Sequence, residues 1–175
     1  MRPEEELRFL ILGAQREGSR TLSAQLSPLG LTPSQAEVIR CLDDHGPMSL
    51  KALGELLVCE SGSPSRLVNA LVARDLVARV EDPEDRRQVV LTLSRPGSRL
   101  SRKVRNIEEQ IYARIGAGLG RDGTAAALML LRPLVAGTLS GNAIARRKAR
   151  GTAPSARDGA AARPFAKAAA SPPRW

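Results

Sequence analysis

The sequence predicts a mainly helical protein with one small β-hairpin. Over most of the chain, apolar residues recur at every third or fourth position, which is the period of a helix with one buried face. Only four of the 175 residues are aromatic, so Leu, Val, Ile and Ala must fill the interior, as helices readily allow. β-forming residues are concentrated in two neighbouring segments, 77–81 and 89–93, which a charged turn separates.

The first two helices are predicted from their apolar stripes and from one clear start signal. The first stripe covers about residues 4–25. The second helix begins after Thr32, because a threonine N-cap, Pro33 at the first helical position and Gln35 at the third form a capping box. It runs to about Asp44, just before a Gly-Pro pair. Its inward residues are Val38, Ile39 and Leu42.

Two shorter helices follow, at about residues 50–57 and 63–74. Ser49 caps the first of them, and Pro64 lies at the start of the second. Their expected core residues are Leu53, Leu56, Leu57, Leu67, Val68, Leu71 and Val72. The hairpin comes next, and in its second strand Val89, Leu91 and Leu93 alternate with Val90 and Thr92, which is the period of a half-buried strand.

Beyond the hairpin, a long helix is predicted from about residue 96 to 117, where a cluster of glycines at 116–120 ends it. A last helix then begins at Asp122 and continues through Leu139. Pro133 removes a backbone donor inside this last helix, so we expect a kink there.

The positive charge of the chain lies mostly at its C-terminal end. Residues 142–175 contain eight Lys/Arg and one Asp, which gives +7 of the total net charge of +9. The segment is rich in Ala, Pro and Gly without apolar periodicity, and this composition predicts a disordered tail. A flexible polycation binds DNA or RNA through counterion release. An anionic membrane surface, or a solvated tail with no specific role, are the alternatives.

The composition also excludes several classes of protein. No apolar run approaches the roughly 18 residues of a membrane span, and the glutamate-rich start differs from a signal peptide, so we expect a soluble cytoplasmic protein. Cys41 is expected in the core. Together with His45 and Cys59 it makes no zinc-binding pattern, so no metal is expected. No catalytic set and no glycine-rich phosphate loop occur, which predicts a protein without cofactor or enzyme activity.

Two successive short helices followed by a hairpin describe a winged helix-turn-helix, with N- and C-terminal helices left for dimerisation. Three segments resemble the MarR family of transcriptional regulators: residues 31–35 (Leu-Thr-Pro-Ser-Gln), 65–71 in the predicted recognition helix, and 82–94. The third contains Asp85, Arg87, Leu93 and Ser94 at the spacing of the family's wing pattern. The resemblance covers about residues 5–140.

The predicted division has four parts: an N-terminal dimerisation helix (1–30), a DNA-binding winged helix-turn-helix (31–95), C-terminal dimerisation helices (96–141) and the basic tail (142–175). The stripes of the first, fifth and sixth helices carry more apolar surface than the small core can cover, which predicts a homodimer. The resemblance implies the same interlocked dimer. Its two recognition helices would lie about 34 Å apart and read a pseudo-palindromic operator in double-stranded DNA.

The candidate base contacts are polar residues on one face of the recognition helix. Such a helix fits the major groove, where arginine can bind guanine and asparagine can pair with adenine. The alternative is an ordinary solvated helix face. The candidates are Ser63, Ser65, Arg66 and Asn69.

For the wing, the family resemblance implies that Arg87 enters the minor groove while Asp85 orients its guanidinium group. A narrow minor groove concentrates negative potential, and the weakly hydrated guanidinium suits it. Arg86 is expected to meet the DNA backbone. The alternative is a surface ion pair at the tip of a hairpin.

The resemblance also implies a regulatory signal, because relatives commonly bind small aromatic compounds or sense oxidants through cysteine. Cys59, in the turn between the two short helices, is the candidate redox residue. We therefore predict a sequence-specific regulator, a repressor released by a small-molecule or redox signal. The alternative is a winged-helix interaction or nucleoid-associated module that binds DNA without sequence preference through its basic tail.

Overall fold

The computed structural model describes residues 1–58, 63–82, 85 and 88–151. It confirms a mainly helical fold with one two-stranded antiparallel hairpin. In chain order the elements are α1 (Pro3–Leu26), a short 3-10 turn (Ser27–Leu29), α2 (Pro33–His45), α3 (Leu50–Gly54), α4 (Pro64–Val72), β1 (Val77–Glu81), β2 (Val89–Leu93), α5 (Arg95–Val135) and α6 (Leu139–Gly151).

The core lies between α2, α3, α4, the hairpin, the end of α1 and the first turns of α5. The residues predicted to face inward from α2 are buried there. Aliphatic side chains from all of these elements pack together in it, as expected for a core with few aromatic residues. Its fully enclosed members include Leu26, Val38, Ile39, Leu53, Val68, Leu71 and Val104.

The start of α2 confirms the capping box. The Thr32 side chain accepts a hydrogen bond from the Gln35 backbone N–H at 3.3 Å, and the Thr32 N–H donates to Gln35 Oε1 at 3.1 Å. Pro33 occupies the first helical position, where its missing N–H costs nothing. Local chemistry alone therefore fixes where this helix begins.

Helix α3 is shorter than predicted, because it ends at Gly54 rather than near Leu57. Leu56 is nevertheless buried in the turn that follows, while Leu57 is half-buried. Helix α4 begins at Pro64 as predicted, with Ser63 as its N-cap residue.

The hairpin has the predicted strand bounds, with Val77 paired to Leu93 and Glu81 paired to Val89. The alternation predicted for β2 is only partly present: the Val89 side chain is 53% exposed, whereas Val90 and Leu91 are both buried. The reason is a bridge to Met48, whose backbone exchanges two hydrogen bonds with Leu91 (3.1 and 2.7 Å) and encloses the middle of the strand. Val89 lies beyond that contact, next to the hairpin tip.

A close backbone contact joins the hairpin to α5. The Ser94 hydroxyl donates to the Asp75 carbonyl at 2.5 Å and accepts from the Gly97 N–H at 3.0 Å. A Cβ atom at Gly97 would overlap the Leu76 carbonyl oxygen, so only glycine permits this approach.

The predicted division at the glycine cluster is confirmed: α5 continues through Gly116 and Gly118 but is broken at Gly120, whose φ of 65° and ψ of 178° lie outside the helical region. The segment beyond this break corresponds to the predicted last helix. It ends at Val135, and Pro133 lies in its last turn rather than kinking a helix that extends to Leu139. Isolated glycines weaken a helix by only about 1 kcal/mol each, which packing elsewhere offsets.

The prediction of disorder from residue 142 is wrong for its first ten residues, since α6 extends to Gly151. Ala143 on this helix is 1% exposed, and Arg147 is half-buried. The burial comes from long-range packing, which leaves no periodic signal in so short a segment. Residues 152–175 lie outside the described part of the chain.

An ion network holds α2 against α5. Arg40 on α2 bonds Asp43 (3.0 Å), Asp44 (2.9 Å) and, from α5, Glu108 (2.8 Å). Arg105 on α5 completes it, reaching Asp43 at 2.7 Å and Asp44 at 2.8 Å. Burial raises the pKa of Glu108 in spite of the neighbouring Arg40. Because the Arg40 side chain is largely enclosed, the network fixes the orientation of the long helix more firmly than surface ion pairs would.

Within the part of the chain that the structure describes, no helix has the length and apolar character needed to span a bilayer.

Candidate nucleic-acid interface

Helix α4 presents two chemically different faces. Val68 and Leu71 are fully enclosed by the core. Arg66 and Asn69 are exposed on the other face, together with the N-cap residue Ser63, whereas Ser65 is only half-exposed. Three of the four predicted contact residues are therefore open to solvent, and they extend from the N-cap into the second half of the helix.

The exposed face of α4 is bonded directly to the hairpin. Asn69 Oδ1 accepts a hydrogen bond from Arg79 Nη2 of β1 at 2.6 Å. Sequence reasoning missed Arg79, because an exposed arginine in the middle of a strand has no distinguishing pattern. This bond orients the Asn69 amide and adds a second guanidinium group to the polar surface beside Arg66.

The tip of the hairpin is described only in part. Asp85 is exposed, and its carboxylate accepts from the Gln88 side-chain amide at 3.1 Å, while its carbonyl accepts from the Gln88 N–H at 2.8 Å. Arg86 and Arg87 lie outside the described residues. The expected pairing of Asp85 with Arg87 therefore stays a prediction.

The two cysteines differ in what the structure describes. Cys41 is buried in the core as predicted, with Arg147 Nη2 at 3.3 Å from its sulfur, and burial raises the pKa of its thiol to about 11. Such a thiol stays protonated and unreactive near neutral pH. Cys59, the candidate redox residue, lies outside the described residues, so its role stays a prediction.

His45 is the last residue of α2, and burial lowers its pKa. Among residues 1–58, 63–82, 85 and 88–151, no group of three His, Cys, Asp or Glu side chains is placed to hold a metal ion. The combination of Cys41, His45 and Cys59 is not tested, because Cys59 is not described.

A second surface, on the side formed by α1, α5 and α6, is apolar and uncovered. We call it the apolar face. A groove of about 840 Å³ runs along it, lined by Ile11, Leu131, Leu134 and Ile144 among others. The exposed apolar residues of these three helices are Leu7, Phe9, Leu10, Ile11, Tyr112, Ile115, Leu119, Leu128, Met129, Leu130, Leu131, Leu134, Leu139 and Ile144.

Two comparisons, one with family models and one with individual proteins, identify the same family. The MarR family model matches residues 31–89, from the start of α2 into β2. The HTH-type transcriptional regulator YhbI of Bacillus subtilis is 30% identical over 125 residues, which cover 71% of this chain and 78% of YhbI. The chain belongs to the MarR family. As a MarR-family protein it is a transcriptional regulator and not an enzyme.

Two further MarR-type proteins, a repressor and a regulator of solved structure, are also similar to this chain. The HTH-type transcriptional repressor NicR of Pseudomonas putida is 28% identical over 131 residues, covering 75% of this chain and 83% of NicR. The solved structure of BpsR from Bordetella bronchiseptica, described for the regulation of its DNA binding by 6-hydroxynicotinic acid, has 26% identity and a TM-score of 0.67. It covers 78% of this chain and 97% of BpsR.

Proposed function

We propose that this MarR-family regulator binds a pseudo-palindromic operator in double-stranded DNA as a homodimer and represses transcription there. The division of α4 carries the proposal: one face is fixed in the core, and the other offers Ser63, Arg66 and Asn69 to solvent beside the hairpin. An α-helix with a polar outer face fits the major groove, and a neighbouring hairpin then meets the adjacent minor groove.

The contacts on α4 divide between bases and backbone. Arg66 is free to approach guanine, which offers two acceptors in the major groove. Asn69 has its Oδ1 engaged by Arg79, so it turns its Nδ2 donor toward the DNA unless Arg79 moves to a phosphate. Ser63 and Ser65, at the start of the helix, are proposed to contact phosphates together with the first backbone amides.

The wing contributes Asp85, Arg86 and Arg87. We propose that Arg87 enters the minor groove, that Asp85 orients it, and that Arg86 contacts the backbone. The support is that the hairpin whose strands lead to these residues is bonded directly to α4, through Arg79 of β1 and Asn69.

The homodimer is proposed from the apolar face. Side chains such as Leu130 (73% exposed) and Leu134 (60% exposed) are more open than a monomer in water tolerates in a contiguous patch. A second copy that covers α1 and the distal part of α5 would create the two-fold symmetry that a palindromic operator requires. Residues 1–30 and 96–141 would then be the dimerisation part of each subunit.

Repression and its release are proposed from the named relatives. NicR is a repressor, and the DNA binding of BpsR is regulated by a small aromatic acid. A small aromatic effector is the corresponding proposal here, with oxidation at Cys59 as the alternative signal. Either signal could reach a regulator that binds chromosomal DNA in the cytoplasm, which is the location we propose.

Selection of genomic DNA fragments by the purified full-length protein tests the proposed function. We expect recovered fragments to share one inverted repeat, whose half-sites are about one helical turn apart. Uniform recovery of unrelated fragments, with affinity that depends only on salt and length, would instead support the nucleoid-associated alternative.

A further inference from the structure

Two arginines of α6 contact the helix-turn-helix directly. Arg147 donates from Nε to the Leu56 carbonyl at 2.7 Å, and its Nη2 forms an ion pair with Glu37. One residue earlier, Arg146 pairs with Glu55. Helix α6 is therefore attached to the turn that follows α3, which leads on to the recognition helix α4.

Glu37 receives a second bond at the same oxygen. Its Oε1 also accepts from the Val58 backbone N–H at 2.8 Å. Val58 is the last described residue before the segment 59–62, which connects to α4. One carboxylate on α2 thus joins α6 to the backbone at the entrance of the recognition helix.

The burial of this pair makes it more than a surface contact. The side chain of Glu37 is 11% exposed and that of Arg147 is 33% exposed. A charged hydrogen bond in such partial enclosure is stronger than one in water, so removal of the arginine costs an enclosed carboxylate a strong charged contact. The carbonyl of Leu56 would lose its donor at the same time.

The other side of α6 belongs to the apolar face. Ile144, three residues before Arg147, lines the groove with Ile11 of α1 and Leu131 of α5. Helix α6 consequently touches the surface proposed for dimerisation on one side and the recognition-helix turn on the other.

We propose that Arg147, acting through Glu37, is a positioning residue for DNA recognition, because it holds the backbone that leads from α3 toward α4. This inference rests on the proposed function of operator binding. Arg147 itself does not touch DNA in this arrangement, because its guanidinium group is directed at Glu37, Leu56 and Cys41. Its removal should change discrimination between sequences rather than general attraction to phosphate.

The test compares Arg147→Ala with Arg150→Ala in the full-length protein. Arg150 is exposed on the same helix, so both variants lose one positive charge. The probes are the duplex selected by the wild-type protein and a scrambled duplex of the same length and composition. We expect Arg147→Ala to lose about tenfold in the ratio of the two affinities, with an unchanged salt slope, and Arg150→Ala to keep the ratio.

A second measurement follows hydrogen exchange at the Val58 amide. We expect faster exchange in Arg147→Ala and in Glu37→Ala, and the double variant should be no worse than either single one, because the residues act as one unit. Arg147→Lys keeps the charge but lacks the forked donors, so it should restore the ratio only in part. If Arg147→Ala does not fold, Arg147→Lys and Glu37→Gln carry the same comparison.

The outcomes separate the two proposals. If the wild-type protein shows no preference for any duplex, the proposed function fails. If the wild type discriminates but Arg147→Ala matches Arg150→Ala in both ratio and Val58 exchange, the positioning role is wrong. A fall in affinity for both duplexes with a smaller salt slope would show that Arg147 contacts phosphate directly, which also overturns it.

Discussion

Asn69 of the recognition helix and Arg79 of the hairpin share a hydrogen bond of 2.6 Å. It joins the two elements that are proposed to enter neighbouring grooves. The relative position of helix and hairpin is thereby fixed by side chains on the proposed DNA-binding surface, and not only by the core beneath them.

Replacing Arg79 tests the value of that bond. We expect Arg79→Met to weaken binding of the selected duplex by about three- to tenfold, because the Asn69 amide and the hairpin lose their mutual orientation. Binding titrations at fixed salt measure it. Arg102→Met, an exposed arginine of α5, is the control for charge. Equal affinities for the two variants would contradict a role for the bond.

Arg66 is expected to carry sequence discrimination. Arg66→Ala should reduce the preference for the selected duplex over scrambled DNA by about tenfold, since a bidentate arginine contact distinguishes bases by about 1–3 kcal/mol. Competition titrations with both duplexes measure the preference.

The matched comparison is a chain truncated after Gly151, which removes the cationic segment beyond α6 but keeps the helix. It should chiefly flatten the salt dependence of binding while the preference survives. A truncated chain that loses its preference, or an Arg66→Ala variant that keeps it, would argue for DNA binding through the tail.

The apolar face predicts a dimer that a single charge should weaken. Leu134→Glu places a carboxylate in the groove, and we expect the dimer dissociation constant to rise at least about tenfold because that charge would lose its water. Sedimentation equilibrium measures it. Val89→Glu, at a comparably exposed apolar site on the hairpin, should leave the mass unchanged. A wild-type monomer at all concentrations would contradict the assignment of this face.

Gly97 predicts a large loss of stability from one methyl group. In Gly97→Ala the new Cβ overlaps the Leu76 carbonyl oxygen, so we expect unfolding free energy to fall by about 2–4 kcal/mol. Gly13→Ala is the control, because a Cβ there meets open space in a helix and should stabilise by up to about 1 kcal/mol. Denaturant titrations compare the two variants with the wild type. If Gly97→Ala were as stable as the wild type, the backbone around Leu76 and Gly97 would have to relax without cost.

The buried thiol of Cys41 predicts a pH dependence at the alkaline end. Burial raises its pKa from 9.0 to about 11, so the folded protein retains a proton that the unfolded chain has lost. Its contribution to stability is complete below pH 9 and disappears as the pH rises to about 11, which amounts to about 3 kcal/mol. Over this range, unfolding free energy should fall more steeply in the wild type than in Cys41→Ala. Parallel curves would mean that the thiol titrates normally.

The parts of the fold that sequence predicted are those with local causes. The capping box at Thr32 involves residues three positions apart, so it can be recognised without knowing the fold. The burial of Val68 and Leu71 follows in the same way from helical period. The exposed position of Val89 did not follow, because it depends on a bridge from Met48, which is far away in sequence.

In the candidate site, too, the residues with local signals were predicted and those that depend on distant partners were not. Arg66 and Asn69 were predicted as exposed polar residues, and the structure places both on the open side of α4. Arg79 and Glu37 were not predicted, because their importance lies in partners that are ten and over a hundred residues away. Helix α6 was missed for the same reason, since its composition resembles a disordered tail while its burial comes from distant elements.

The break at Gly120 makes one position unusually intolerant of mutational change. Its φ of 65° and ψ of 178° lie in a region that is almost closed to residues with a side chain. Every single-base change that alters a glycine codon to that of another amino acid adds a side chain there. The bend between the two segments of the long helix is thus inherited through one codon.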